Sequence, residues 1–243
     1  MINACHKKVK VLSYSKQHPT AAAYLIKAEN REQGLALRVS LSGKIIDIET
    51  QLFGNFNIYN LLATLLVLIN HGFESDEVAE RVSEIHSVDG RMQRFGGVDV
   101  PMVFLDYAHT PQALKQVLTS CRDYTAADLI CVFGCGGERD TSKRPLMGEI
   151  AQRYADRIVI CDDNPRGEDP EQICNGILKG MTNTRSHCVI HDRAKAISKA
   201  IKEAAPDDVV LVAGKGHERY QIVKGVKKPF NDAGFIQKAL EDY

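Results

Sequence analysis

The chain has 243 residues, 44% hydrophobic and 26% charged, close to average globular usage and enough to bury a sizeable core. Lys and Arg together number 31, as do Asp and Glu; this zero formal charge argues against a general nucleic-acid or anionic-membrane binder, while leaving room for a local basic pocket. The longest mainly apolar run, 61–69, is too short to span a bilayer, and the N-terminus lacks a signal-peptide pattern. The seven cysteines show no metal-type pairing and read as reduced thiols in a bacterial-type cytoplasm.

Residues 1–50 read as short strands at 8–13, 21–28, 35–41 and 44–49, with Ser42-Gly43 as a hairpin turn. The character changes at Gly54. Leu61, Leu62, Leu65, Leu66 and Ile69 recur at helical spacing and predict a buried helix over 57–70. A second helix is expected over 75–86 with Ser75 as its N-cap, and Val88-Asp89-Gly90 then reads as a hinge. Beyond it, strands (102–105, 129–133, 157–161, 187–190, 209–212) alternate with helices (111–121, 145–154, 170–181, 193–204). That alternation predicts an α/β fold with a mostly parallel, Rossmann-like sheet, whose ligands sit beyond the carboxyl ends of the strands.

The polar motifs fall at those ends. In Asp162-Asp163-Asn164-Pro165-Arg166, Pro165 fixes its own φ and pushes Asn164 towards extended geometry, making a rigid loop. An acid and an arginine on such a loop suit a zwitterionic ligand, and an ordinary turn with a surface ion pair explains it equally well. The glycines of Gly134-Cys135-Gly136-Gly137-Glu138-Arg139-Asp140 permit positive φ and close ligand approach, though a plain glycine turn would look the same. In Gly214-Lys215-Gly216-His217-Glu218, the lysine and backbone amides can face phosphate or carboxylate and Glu218 can receive an amine; the alternative is a turn into a strand over 219–223. Asp106 can accept ribose hydroxyls and His109 can contact phosphate, while Thr110-Pro111 is a helix start. Asn57 and Asn60 share one helix face, where they either cap the helix or read an adenine edge. His6, His18, His71, His86, His187 and His191 sit in no constellation and are expected at solvated or packed positions.

Taken in order, GNFNIYN from Gly54, Asp89-Gly90-Arg91, DYAHTP from Asp106, FGCGGERD from Phe133, KRPLMG from Lys143, DDNPR from Asp162 and AGKGHE from Ala213 resemble the Mur ligases, in the form that selects diaminopimelate rather than lysine. The resemblance covers about residues 54–243. It implies a C-terminal domain over 90–243, preceded by residues 1–89 as the remnant of an α/β ATP-binding central domain. It implies an enzyme that uses ATP and Mg2+ to activate a carboxylate of UDP-N-acetylmuramoyl-L-alanyl-D-glutamate as an acyl phosphate, which the amine of meso-diaminopimelate then attacks. Asn57, Asn60, Arg91, Asp106 and His109 match the ATP-binding positions. Arg139, Asp163, Asn164, Pro165, Arg166, Gly214 and Glu218 match the diaminopimelate-binding ones.

No GxxxxGK followed by Ser or Thr occurs in the chain. The resemblance places that phosphate loop, the carbamylated lysine and the magnesium ligands before residue 1, so the chain is expected to be a fragment without turnover of its own. The rival readings are a sibling Mur ligase adding another amino acid and a stand-alone amino-acid-binding or regulatory module. A Rossmann redox enzyme fails for want of the dinucleotide fingerprint.

Overall fold

The computed structural model describes residues 11–182 and 187–243. It divides into two compact units, Met1–His86 and Ser87–Tyr243.

In the first unit, β1 (Tyr14–Ser15), β2 (Ala23–Arg31), β3 (Gly34–Leu41) and β4 (Lys44–Thr50) form a sheet in chain order. Of the strand expected at 8–13, residues 8–10 lie outside the described set and 11–13 are not strand; the pairing begins at Tyr14. Ser42 and Gly43 both have positive φ, 51° and 91°, the conformation of a two-residue turn whose twist matches that of the strands it joins. Leu35, Leu37, Val39 and Leu41 point to one face and pack with Ile46 and Ile48 against α1 (Phe56–Asn70) and α2 (Ser75–Ser83). The stripe Ile58, Leu61, Leu62, Leu65 and Leu66 is the buried face of α1, as its spacing predicts. Helix α2 is shorter than expected: Ser83 turns its hydroxyl onto Glu80 O, and the helix stops there. Its N-cap is Glu74, so Ser75 is the first helical residue instead of the cap.

The second unit is an α/β domain. Its sheet runs β5 (Gln93–Phe95), β6 (Met102–Asp106), β10 (Val209–Ala213), β7 (Leu129–Phe133), β8 (Arg157–Ile160), β9 (His187–Val189), all parallel except β5. Val103, Leu105, Ile130, Val132, Val159, Val210 and Val212 face α6 (Arg193–Lys202) and α7 (Asp232–Glu241). On the other face α3 (Pro111–Arg122), α4 (Lys143–Tyr154) and α5 (Pro170–Leu178) pack side by side. Covered on both faces, β6, β7 and β10 are buried at every position, which is why they read as continuous apolar runs. A two-stranded ribbon, β11 (Tyr220–Val223) with β12 (Val226–Pro229), follows β10.

Register sets the site. Ala213 lies opposite Asp106, and Phe133 opposite Ile160, so the loops leaving β6, β7, β8 and β10 emerge side by side. Gly90, read from the sequence as part of a hinge, is buried in this unit with φ 66°, and a Cβ there would collide with the backbone of Gly216 and His217.

Under the loops lies an ion pair with no solvent exposure on either side chain, Arg193 with Asp232. Arg193 Nε and Nη2 each donate to Asp232 at 2.8 Å, Nη2 also donates to Ala213 O at 3.0 Å, and Nη1 reaches Cys161 Sγ at 3.3 Å. Burial works against the guanidinium charge, and the Asp232 carboxylate, with Cys161 and Asp163 beside it, together outweigh it and raise the Arg193 pKa. Replacing Arg193 by Met leaves a buried carboxylate unpaired; unfolding in urea is expected to show a loss of about 3–5 kcal/mol.

Candidate functional site

A cavity of about 620 Å³ opens at the carboxyl ends of these strands. Gly134, Gly136 and Arg139 line it from the β7 loop, Asp163, Asn164 and Arg166 from the β8 loop, Gly214 and Glu218 from the β10 loop, and Tyr107 and His109 from the β6 loop. Six of the seven residues matched to diaminopimelate therefore meet in one place. Pro165 is buried and packs through its carbonyl on Gly137.

The β7 and β8 loops are fitted backbone to backbone. A Cβ on Gly134 would fall on Cys161 O, and one on Gly137 on Pro165 O. These glycines do not adopt positive φ; the left-handed residue in the loop is Glu138, at 53°. Their use is close approach, which corrects the expectation of unusual dihedrals. Gly137 N donates to Asn164 O at 2.9 Å. Arg144, at the start of α4, clamps both loops: its guanidinium is bidentate to Glu168 at 2.6 and 2.7 Å and reaches Gly136 O.

Arg166 has φ 56°, a conformation that costs a non-glycine residue about 1 kcal/mol or more. The ribbon enforces it, because Arg166 N donates to Ile222 O and Lys224 N to Arg166 O. Its Nη1 is anchored on Gly137 O and Asn164 O, leaving Nε and Nη2 without a partner among the described residues. Arg139 is exposed and likewise unpaired.

Two carboxylates face the arginines. Burial pushes Asp163 above the ordinary range, against the opposing charges of Arg193 and Lys215, and no described residue hydrogen-bonds its side chain. Gly214, at φ 115°, is small enough to sit against Asp163 Oδ2, where a Cβ would come within 2.8 Å. Burial also works to raise Glu218, but hydrogen bonds from Lys215 and Asn164, together with the Lys215 charge, hold it below its usual value.

The residues matched to ATP are more dispersed. His109 lines the cavity, its Nδ1 against Tyr107 O at 2.8 Å, with Lys143 Nζ donating to His109 O. The Arg91 guanidinium lies 4.6 Å over the Tyr107 ring. Asp106 is buried, and its two oxygens already accept the Met92 and Ala108 amides at 2.9 and 2.8 Å, so it organises the turn that presents Tyr107 and His109. Asn57 and Asn60 belong to the first unit. Neither caps α1: Asn57 Nδ2 donates to Phe53 O and Asn60 Nδ2 to Asn57 Oδ1.

Two other expectations are corrected. Lys215 does not face the cavity but is fully buried. His191 lies between Asp162 at 2.8 Å and Glu171 at 3.1 Å, and its pKa is raised, chiefly by the Asp162 hydrogen bond. Sequence reasoning missed Arg193, Asp232, Glu168 and the structural use of Arg144, and no motif around them marks a buried pair.

Residues 90–216 match the family model described as Mur ligase, glutamate ligase domain, and residues 1–68 the one described as Mur ligase middle domain. The chain belongs to the Mur ligase family. The UDP-N-acetylmuramoyl-L-alanyl-D-glutamate–2,6-diaminopimelate ligase of Pseudomonas putida is 42% identical over 236 residues, which are 97% of this chain and 47% of the relative. The same-named enzyme of Chromobacterium violaceum is 47% identical over 210 residues, 86% of this chain and 42% of the relative. A solved structure of that ligase aligns with TM-score 0.72 at 36% identity over 96% of this chain and 48% of its own. This Mur ligase chain thus spans about half the length of the curated relatives it matches.

Membership raises the question of magnesium. Among the described residues the cluster of three metal-type donors is Asp162, Cys174 and His191. Mg2+ takes oxygen ligands, so this thiol-containing set does not fit it. No helix among the described residues is long and apolar enough to cross a membrane.

The Arg144–Glu168 clamp gives a pH prediction. The Arg144 hydrogen bond holds Glu168 below its ordinary value, so the pair stabilises the fold above the unfolded carboxyl range and the contribution vanishes as pH falls through the depressed folded pKa. Glu168→Gln is expected to destabilise the chain at pH 7 but to lose less than wild type between pH 7 and pH 3, as read by urea midpoints.

Proposed function

We propose that this Mur ligase chain forms the amino-acid-selecting part of an ATP-dependent ligase that adds meso-diaminopimelate to UDP-N-acetylmuramoyl-L-alanyl-D-glutamate during peptidoglycan precursor synthesis in the cytoplasm. The observation that carries this is the charge pattern of one cavity: Arg139 and Arg166, neither in an ion pair among the described residues, opposite Asp163 and Glu218. Meso-diaminopimelate has two carboxylates and two amines, and it complements that pattern group for group. Lysine lacks the distal carboxylate.

Each side chain has a task in this reading. Arg166 presents Nε and Nη2, without partners among the described residues, from a loop held by backbone hydrogen bonds to the ribbon, suited to a two-pronged grip on the distal carboxylate. Arg139 takes the other carboxylate, and Glu218 and Asp163 receive the ammonium groups. Holding the attacking amine at a fixed place is the larger share of catalysis in such transfers, since the acyl phosphate is already reactive. ATP supplies that activation, and the Arg91 and Lys143 cations with the His109 ring lie near the β6 end, where they can meet its phosphates or those of the acyl phosphate. Asp106 remains a proposed ribose neighbour through the turn its two oxygens organise, and Asn57 and Asn60, of the first unit, remain proposed adenine-binding residues in their own right.

Equilibrium binding of meso-diaminopimelate and of L-lysine to the 243-residue chain tests the reading. Losing a charge-assisted hydrogen bond of this kind costs about 1.5–3 kcal/mol, so diaminopimelate should be preferred by about tenfold to a hundredfold. Arg166→Ala should weaken diaminopimelate and narrow the preference, and Arg166→Lys should restore it only in part. An Arg166→Ala chain that keeps the wild-type preference removes Arg166 as the selector.

A further inference from the structure

Lys215 follows Gly214 in the loop leaving β10 and has no solvent exposure. Its Nζ donates to Glu218 Oε2 at 2.9 Å and to Asn164 Oδ1 at 3.0 Å, with the Tyr220 ring centroid 5.7 Å away. Both acceptors line the cavity; Lys215 does not. Asn164 is held from three sides. Its Oδ1 accepts Lys215 and Ile222 N, the latter at 2.9 Å, and its Nδ2 donates to the same Glu218 oxygen, also at 2.9 Å. Glu218 Oε1 has no partner among the described residues.

We propose that Lys215 is a positioning residue for the amino-acid site: from beneath the cavity it fixes one oxygen of Glu218 and the side-chain Oδ1 of Asn164, so that the other Glu218 oxygen is presented to a substrate ammonium. The inference rests on the amino-acid-binding reading and adds to it a residue that never touches the ligand. The physical reasons are orientation and charge. A glutamate on a loop has three side-chain torsions to immobilise, and a buried donor shared with Asn164 holds them before the ligand arrives. The ammonium also offsets the desolvation of a carboxylate that has Asp163, a like charge, for a neighbour. Arg166 is the other cation acting on Glu218, and it is the one a diaminopimelate carboxylate would engage. Lys215 keeps Glu218 anionic whether or not Arg166 is occupied.

A filler of space and a holder of charge behave differently under substitution. Lys215→Met has nearly the same volume and no charge, so a packing role predicts little change. The test uses the 243-residue chain labelled with 13C at glutamate carboxyls, the Glu218 signal being assigned by its loss in Glu218→Gln. Without any ligand, Lys215→Met should move the Glu218 titration midpoint upward. Diaminopimelate binding near pH 7 should weaken about tenfold or more, the scale of one charge-assisted hydrogen bond. In a Glu218→Gln background the same substitution should cost less than about twofold, because its effect runs through Glu218. Should Met not be accommodated, Lys215→Gln, which keeps an N–H donor without charge, takes its place in the same measurements. An unmoved midpoint, or losses that add fully in the double variant, overturns the proposal. A wild-type chain that binds no diaminopimelate overturns the amino-acid-site reading instead, and the midpoint still decides whether Lys215 governs Glu218.

Discussion

The carboxyl edge of the second unit's sheet hangs on one buried ion pair, Arg193 with Asp232. Desolvating two charges is expensive, and such a pair seldom stabilises a fold as well as an apolar pair of the same volume. What it supplies here is placement. The guanidinium has enough donors to hold Asp232 twice and still reach Cys161 and Ala213, the residues at which the β8 and β10 loops begin. An aliphatic side chain would fill the space without tying those two points together. The strand ends that lead into Asp163 and Gly214 are thus tied together from below by this contact.

Above that floor the loops are fixed to each other by backbone. Glycine permits the β7 loop to lie against the carbonyls of Cys161 and Pro165, and Arg144 closes the arrangement through Glu168. The groups that would meet a ligand therefore sit on segments whose dihedrals are settled by contacts on their far side. This is the condition under which dipoles and charges favour a reaction at little reorganisation cost.

The elements were legible where burial is simple. Residues 129–133 are buried on both faces, and their apolar run marks the strand without ambiguity. Helix α1 shows its stripe. The expectation failed where the sequence signal is weak or ambiguous. Strand β12 is exposed throughout, and β5 has three residues, so neither carries a periodic pattern. Helix α7 buries only Asp232, Ile236 and Ala239, although Asn231, which caps it by accepting from Ala233 N, was a usable start signal. In the cavity, the loop positions of Arg139, Asp163, Arg166 and Glu218 follow from the strand-end rule. Lys215 does not: a lysine between two glycines looks like a phosphate ligand, and only the fold reveals that it is buried beneath the acid three residues on. His191 looks isolated in the sequence because its partners Asp162 and Glu171 are distant from it along the chain.

Arg166 carries its side chain on a left-handed backbone that glycine or asparagine would adopt more comfortably. For the fold alone, arginine is the wrong residue there. Mutational drift under selection for stability alone would favour its loss, since relief of the backbone would accompany removal of the guanidinium. On the proposed reading the position is a local conflict between stability and recognition, and an arginine at φ 56° is the choice that favours recognition.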